Sequence, residues 1–322
     1  MKVRMIIRTE KRYQLSILLI LAALCGAGEL NGQESKKTEI ADPETVFLVT
    51  KDGVELRAEW FPGKPGKNSV PVILLHDWNG SRQDLYGLAT YLHRERGCSV
   101  LVPDMRGHGD SISLKNSDET IKRDKFRKSD FLGFVEDIET CKRFLVSKNN
   151  LGDLNIDLLV IGAVGKMSPF AVDYALRDWT WEPLGGIKQG QDVKAIVMIS
   201  PERKFKSASM TPAFKIPLIS GRNAEPLPIY LTWGSRHSSS SREGNSIYST
   251  LSGSREKVSS KLPVEQRWKK QTLFKILNKS NLTGRNLLKE QGDGMSSDIG
   301  LFIEKKVAGR KDDFRWQDRS RK

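Results

Sequence analysis

Five short runs are almost wholly apolar: VPVILLH from Val70, CSVLVPD from Cys98, IDLLVIG from Ile156, VKAIVMIS from Val193 and LPIYLTW from Leu227. A strand with one wet face alternates polar and apolar residues, so runs like these are strands covered on both faces. Between them stand segments with helical spacing, such as LYGLATYLHRER (Leu85 to Arg96) and FLGFVEDIETCKRFLVSK (Phe131 to Lys148). Strands of this kind alternating with amphipathic helices predict an α/β fold, a doubly wound and mostly parallel sheet. Thr45 to Phe61, TVFLVTKDGVELRAEWF, adds an antiparallel hairpin turning at Asp52-Gly53, at the N-terminal edge of that sheet.

The length of 322 residues suits one large domain with tails. Residues 1–28 read as a signal peptide, because the basic MKVRMIIRTEKR is followed by the apolar YQLSILLILAALCGAG. An exported protein follows, periplasmic or at the cell surface, and tethered to the membrane if the signal stays uncleaved. Residues 29–44 read as a linker, 45–307 as the α/β domain and 308–322 as a charged tail. Within the domain, 235–260 holds eleven serines and few apolar positions, which predicts a mobile loop.

The formal charge is +14, and about +10 would remain once the basic leader is removed. Such a chain favours anionic partners, acidic glycans or lipid headgroups, and after export no nucleic acid is expected. Of three cysteines, Cys25 lies in the leader; Cys98 and Cys141 are either two buried thiols or a single bridge. No histidine, cysteine and carboxylate cluster has metal-ligand spacing, and GAVGKMS lacks the spacing of a phosphate-binding loop, so neither metal nor cofactor is expected.

Two motifs carry a resemblance. His76-Asp77-Trp78-Asn79-Gly80 follows the first apolar run, and Asp104-Met105-Arg106-Gly107-His108-Gly109-Asp110-Ser111 closes the second. Together they resemble the α/β-hydrolase superfamily, which has a His-Gly loop after its third strand and a D-x-R-G-x-G-x-S turn after its fourth. The resemblance implies a sheet of that type, with His76, Asp77, Trp78, Asn79, Gly80 and Gly165 lining a pocket and oxyanion loop. Asp77 stands where the family has glycine. The second motif reads as a structural turn, and His108 as architectural.

The resemblance also implies a Ser-His-Asp triad, and three of its positions are unfilled. The nucleophile elbow, G-x-S-x-G, aligns with Gly162, Ala163, Val164, Gly165 and Lys166, which puts Val164 at the nucleophile. The late histidine position falls on Thr283, ahead of Gly284, and no histidine follows His237. The acid turn after LPIYLTW offers His237 and Ser238, with no carboxylate before Glu243. The reading is therefore an exported protein of this fold that has lost its triad and serves as a binding or scaffolding module. Its ligand would be a small apolar molecule or glycan at the sheet's carboxyl edge, near Trp78 and Trp233. One alternative is an active esterase or amidase with a relocated serine, Ser168 first, with Ser200 at the end of VKAIVMIS also weighed. Another is a basic surface module that binds an anionic polymer or membrane.

Overall fold

The computed structural model describes residues 40–320, so the signal segment, Cys25 and most of the linker lie outside the described residues. In chain order the elements are β1 (Glu44–Val49), β2 (Val54–Phe61), β3 (Pro71–Leu75), α1 (Tyr86–Arg96), β4 (Ser99–Pro103), the short β5 (Ser113–Leu114) and β6 (Ser117–Thr120), and α2 (Gly133–Asn150). They continue with β7 (Leu159–Val164), α3 (Ser168–Thr180), β8 (Val193–Ile199), the two-residue β9 (Lys204–Phe205) and β10 (Ala208–Ser209), and α4 (Pro217–Ser220). The last are β11 (Ile229–Gly234), α5 (Ser238–Ser252), α6 (Val264–Lys270), β12 (Leu273–Asn278) and α7 (Gly284–Lys306).

The sheet runs β12-β11-β8-β7-β3-β4-β2-β5-β6, with β1 paired to β2. From β4 to β12 the neighbours are parallel, and β1 with β2 forms the antiparallel hairpin, as the sequence predicts. Every residue of β3, β4, β7, β8 and β11 is buried, which explains their unbroken apolar character. Successive side chains point to opposite faces. Ile73, Ile161, Met198 and Trp233 enter one core layer, closed by α2, α3 and α5 through residues such as Phe134, Phe170 and Ile247. Val72, Val160, Val197 and Tyr230 enter the other, closed by α1 and α7 through Leu92 and Phe302. Cys98 and Cys141 fall in different layers, both as free thiols.

One expectation is corrected. The serine-rich segment expected to be a mobile loop contains helix α5: Ser240, Gly244, Ile247 and Leu251 form its buried stripe, at helical spacing. His237 Nδ1 caps it by accepting the Ser240 N–H at 3.2 Å, and Gly244 lies so close to Trp233 that a Cβ there would come within 2.4 Å of the indole. The described part of the charged tail packs on the domain. Asn155 Nδ2 donates to Phe314 O, Asn149 Nδ2 to Gln317 O and Trp316 Nε1 to Asn149 O, and Arg319 is buried among carboxylates. No helix of the described residues is long and apolar enough to cross a membrane.

Candidate active site

Parallel strands leave their carboxyl ends open to ligands, and here β3, β7, β8 and the start of α7 meet at that edge. β7 ends in a corner whose left-handed residue is Gly165, at φ +54. Val164 has extended backbone (φ −109, ψ 134) and is buried in the core. The left-handed residue of the corner is thus Gly165, one residue past Val164 where the nucleophile was expected, and a left-handed corner favours a residue without a Cβ. The amide next along is that of Lys166.

The loop after β3 is fixed through its carbonyls. Asp77 O accepts from Gly80 N–H and His76 Nδ1, both at 2.8 Å. Trp78 O lies 2.8 Å from His108 Nε2 and accepts from Arg123 Nη1 at 2.7 Å. Asn79 O accepts from Arg285 Nη1 at 3.2 Å. Burial takes His76 down to about 4, so its ring is neutral; Nδ1 carries the proton and Nε2 accepts the Met105 N–H at 3.1 Å. Burial also lowers His108, whose neutral ring donates to one of its two carbonyl neighbours, Arg106 O or Trp78 O, at a time. Both histidines thus hold loops.

With its carbonyls so engaged, the loop presents the Trp78 N–H to the corner. Asp77 Oδ1 accepts that N–H at 2.8 Å and the Lys166 N–H at 3.0 Å. Two amides, one from the loop and one following the corner residue, therefore converge on one oxygen, which is the geometry of an oxyanion hole. The oxygen they hold belongs to the protein's own Asp77. A Cβ on Gly165 would come within 2.5 Å of this carboxylate, and one on Gly284 within 3.1 Å.

Of the other expected residues, Thr283 stands at this edge beside Gly284, and the rest are dispersed. Ser168 opens α3, wholly buried, and its Oγ has no hydrogen-bond partner among the described residues. Thr283 is the N-cap residue of α7, His237 caps α5, and Ser238 is the first residue of α5. Glu243 accepts the Arg203 N–H. Trp78 is half-buried and packs against His108 and Phe205, with centroids 4.8 and 5.0 Å apart, while Trp233 is fully buried. Asp104 accepts the N–H groups of Arg82 and Asp110, and Arg106 is held by Asp137 and Asp52, so the second motif clasps neighbouring loops. No group of three or more potential metal ligands forms among the described residues.

Two further residues stand at this edge, Ser200, one of the serines weighed from the sequence, and Glu202. Ser200 follows β8 with φ +49, and its Oγ accepts the Gly284 N–H at 2.9 Å. Glu202 donates its N–H to Gly165 O at 3.3 Å. Its carboxyl is raised above the usual range chiefly by burial, against the pull of Lys166 and with Asp77 and Glu243 adding to the rise.

No protein-family model and no curated protein matches the sequence. Solved structures do. An esterase of Pyrococcus furiosus is similar over 83% of this chain and 93% of its own, at 15% identity and a TM-score of 0.52. A hyperthermophilic esterase of Pyrobaculum calidifontis is similar over 91% and 88%, at 12% identity and a TM-score of 0.57. A thermostable carboxylesterase cloned from a metagenomic library is similar over 84% and 91%, at 13% identity and a TM-score of 0.55. The chain has the α/β-hydrolase fold. The expectation of a binding or scaffolding module that has lost its chemistry is corrected by these likenesses: the three solved structures just described, each similar over most of its length, are esterases.

Proposed function

We propose that the chain is a hydrolase of carboxylic esters working from a relocated hydroxyl, Ser200, and a carboxylate, Asp77. One observation carries this: Ser200 keeps a left-handed backbone at the carboxyl end of a core strand, beside a corner with two convergent amides. That conformation costs a residue with a Cβ roughly 1–2 kcal/mol, and strain of this kind concentrates at functional sites. The likeness to esterases supports the reaction class.

The Gly284 N–H stabilises charge developing on Ser200 Oγ, and the Asp77 carboxylate lies beside the same glycine. Oγ adds to the ester carbonyl as its proton passes to Asp77. Turning toward the serine, Asp77 vacates the amides of Trp78 and Lys166, which receive the carbonyl oxygen. Collapse expels the alcohol with the proton, and water then cleaves the acyl-serine by the same route. Glu202, kept protonated over a wider range by its burial, is a second proton donor at this edge.

Purified full chain should hydrolyse p-nitrophenyl acetate and take up a fluorophosphonate label. Ser200→Ala should abolish both, Asp77→Asn should slow hydrolysis by about 10²–10⁴-fold, and Ser168→Ala should leave both intact. Hydrolysis no faster than buffer, or activity that survives Ser200→Ala, refutes the assignment. The basic and apolar leader supports an exported enzyme, which the amino-terminal residue of protein recovered from cells tests.

A further inference from the structure

Asp77 is the most unusual group at the corner. Its Oδ1 is bound by two backbone amides, yet no cation pairs with it among the described residues. The cradle is built before any ligand arrives: every carbonyl from Asp77 to Asn79 is held by a named donor, and Gly165 has the left-handed backbone that leaves room above it. The room is filled by the Asp77 carboxylate, which occupies the space a Cβ on Gly165 would need.

We infer that the Trp78 and Lys166 amides form a carboxylate-binding site that Asp77 keeps shut in the resting protein. The ligand class follows from the occupant: a planar monocarboxylate with one oxygen on both N–H groups. Formate, acetate and the acids released from esters belong to that class. Because the internal carboxylate is tethered, an external one binds only the fraction of molecules in which Asp77 has turned away, and its apparent affinity is reduced by that fraction. The same arrangement keeps the product acid of an ester from lingering at the amides. The inference deepens the hydrolase reading, since it concerns the same corner, but its test reads binding rather than turnover.

The test is titration of formate into the ¹⁵N-labelled full chain, following the amide resonances of Trp78 and Lys166, with chloride at equal ionic strength as control. In Asp77→Ala the two resonances should move together and saturate, at about tenfold or more lower formate than in the unaltered chain. Asp77→Asn preserves the shape of the side chain but replaces the carboxylate with a neutral, weaker acceptor, and it should fall between the two. Either variant that folds decides the matter. Amides that ignore formate in that variant, that move independently, or that respond at the same concentration in variant and unaltered chain overturn the inference. A chain without ester hydrolysis whose Asp77 variants still bind formate would keep this inference and remove the hydrolase reading; hydrolysis with silent amides would do the reverse.

Discussion

Arg319 Nη2 stands 2.7 Å from Asp192 Oδ1, joining the end of the described chain to a carboxylate 127 residues earlier, just ahead of β8. The same nitrogen lies 2.9 Å from Asp157 Oδ2 and Nη1 donates to Lys188 O; the side chains of Arg319, Asp157 and Asp192 are largely or wholly buried, that of Lys188 less so. Lys142 and Lys188 complete the neutralisation, Lys142 bridging Asp178 and Asp192. This cluster lies at the amino ends of β7 and β8, away from the candidate site.

Removing one partner from such a cluster leaves charge buried without compensation. Arg319→Ala should therefore destabilise the fold by about 3–5 kcal/mol. Urea unfolding measures it, and a loss within experimental error would show that the tail does not hold the domain. Ester hydrolysis at a temperature where the variant remains folded should be unchanged.

Lys194 sits at the edge of the same cluster, with its Nζ 4.4 Å from the Phe314 ring centroid and 5.0 Å from that of Trp179. Burial, helped by Lys188, lowers its amine from 10.5 to about 7, against the attraction of Asp192 and Asp178. Between these two values the unfolded chain binds a proton that the folded chain does not. The group's contribution therefore makes stability rise with pH across that window, and the penalty is fully present below about 7. Lys194→Met should remove this slope, so stability relative to the unaltered chain should be highest near neutral pH and decline toward about pH 10. Parallel curves for the two proteins in urea would contradict this.

Ser200 allows strain to be separated from chemistry. Both Ser200→Ala and Ser200→Gly lose the hydroxyl that accepts the Gly284 N–H, but only alanine keeps a Cβ in the left-handed conformation. The glycine variant should be the more stable of the two by about 1 kcal/mol, while neither hydrolyses ester. Equal thermal midpoints would mean that the backbone relaxes when the hydroxyl goes.

Gly165→Ser puts a side chain where the Asp77 carboxylate now sits. Crowding and the left-handed backbone should together cost about 2–3 kcal/mol. Combining it with Asp77→Ala should recover the crowding part, so the double variant is more stable than the sum of the single effects predicts. Strict additivity in a double-mutant cycle would show that Asp77 moves aside at no cost.

The core strands were legible because burial on both faces strips them of polar residues, and the hairpin because Asp-Gly marks its turn. Helix α5 was not, since serine and glycine occupy two of the four positions in its buried stripe. The tail's docking depends on carboxylates far back in the chain, which no local pattern reveals. At the corner the motif spacing put Val164 at the turn, and only the backbone shows that the left-handed residue is Gly165. That Asp77 replaces a glycine was visible; that its carboxylate reaches the amide of Lys166, 89 residues on, required the fold.

Gly244 against Trp233 has a further consequence for motion. A helix so rich in serine has little intrinsic stability, and its hold on the domain rests on a narrow stripe containing only two aliphatic side chains, Ile247 and Leu251. Its amides should exchange with solvent through a local opening that costs less than unfolding the sheet, so α5 behaves as a separate cooperative unit. When it lifts, the indole of Trp233 loses its cover, and the fluorescence of that one tryptophan becomes a reporter of the event.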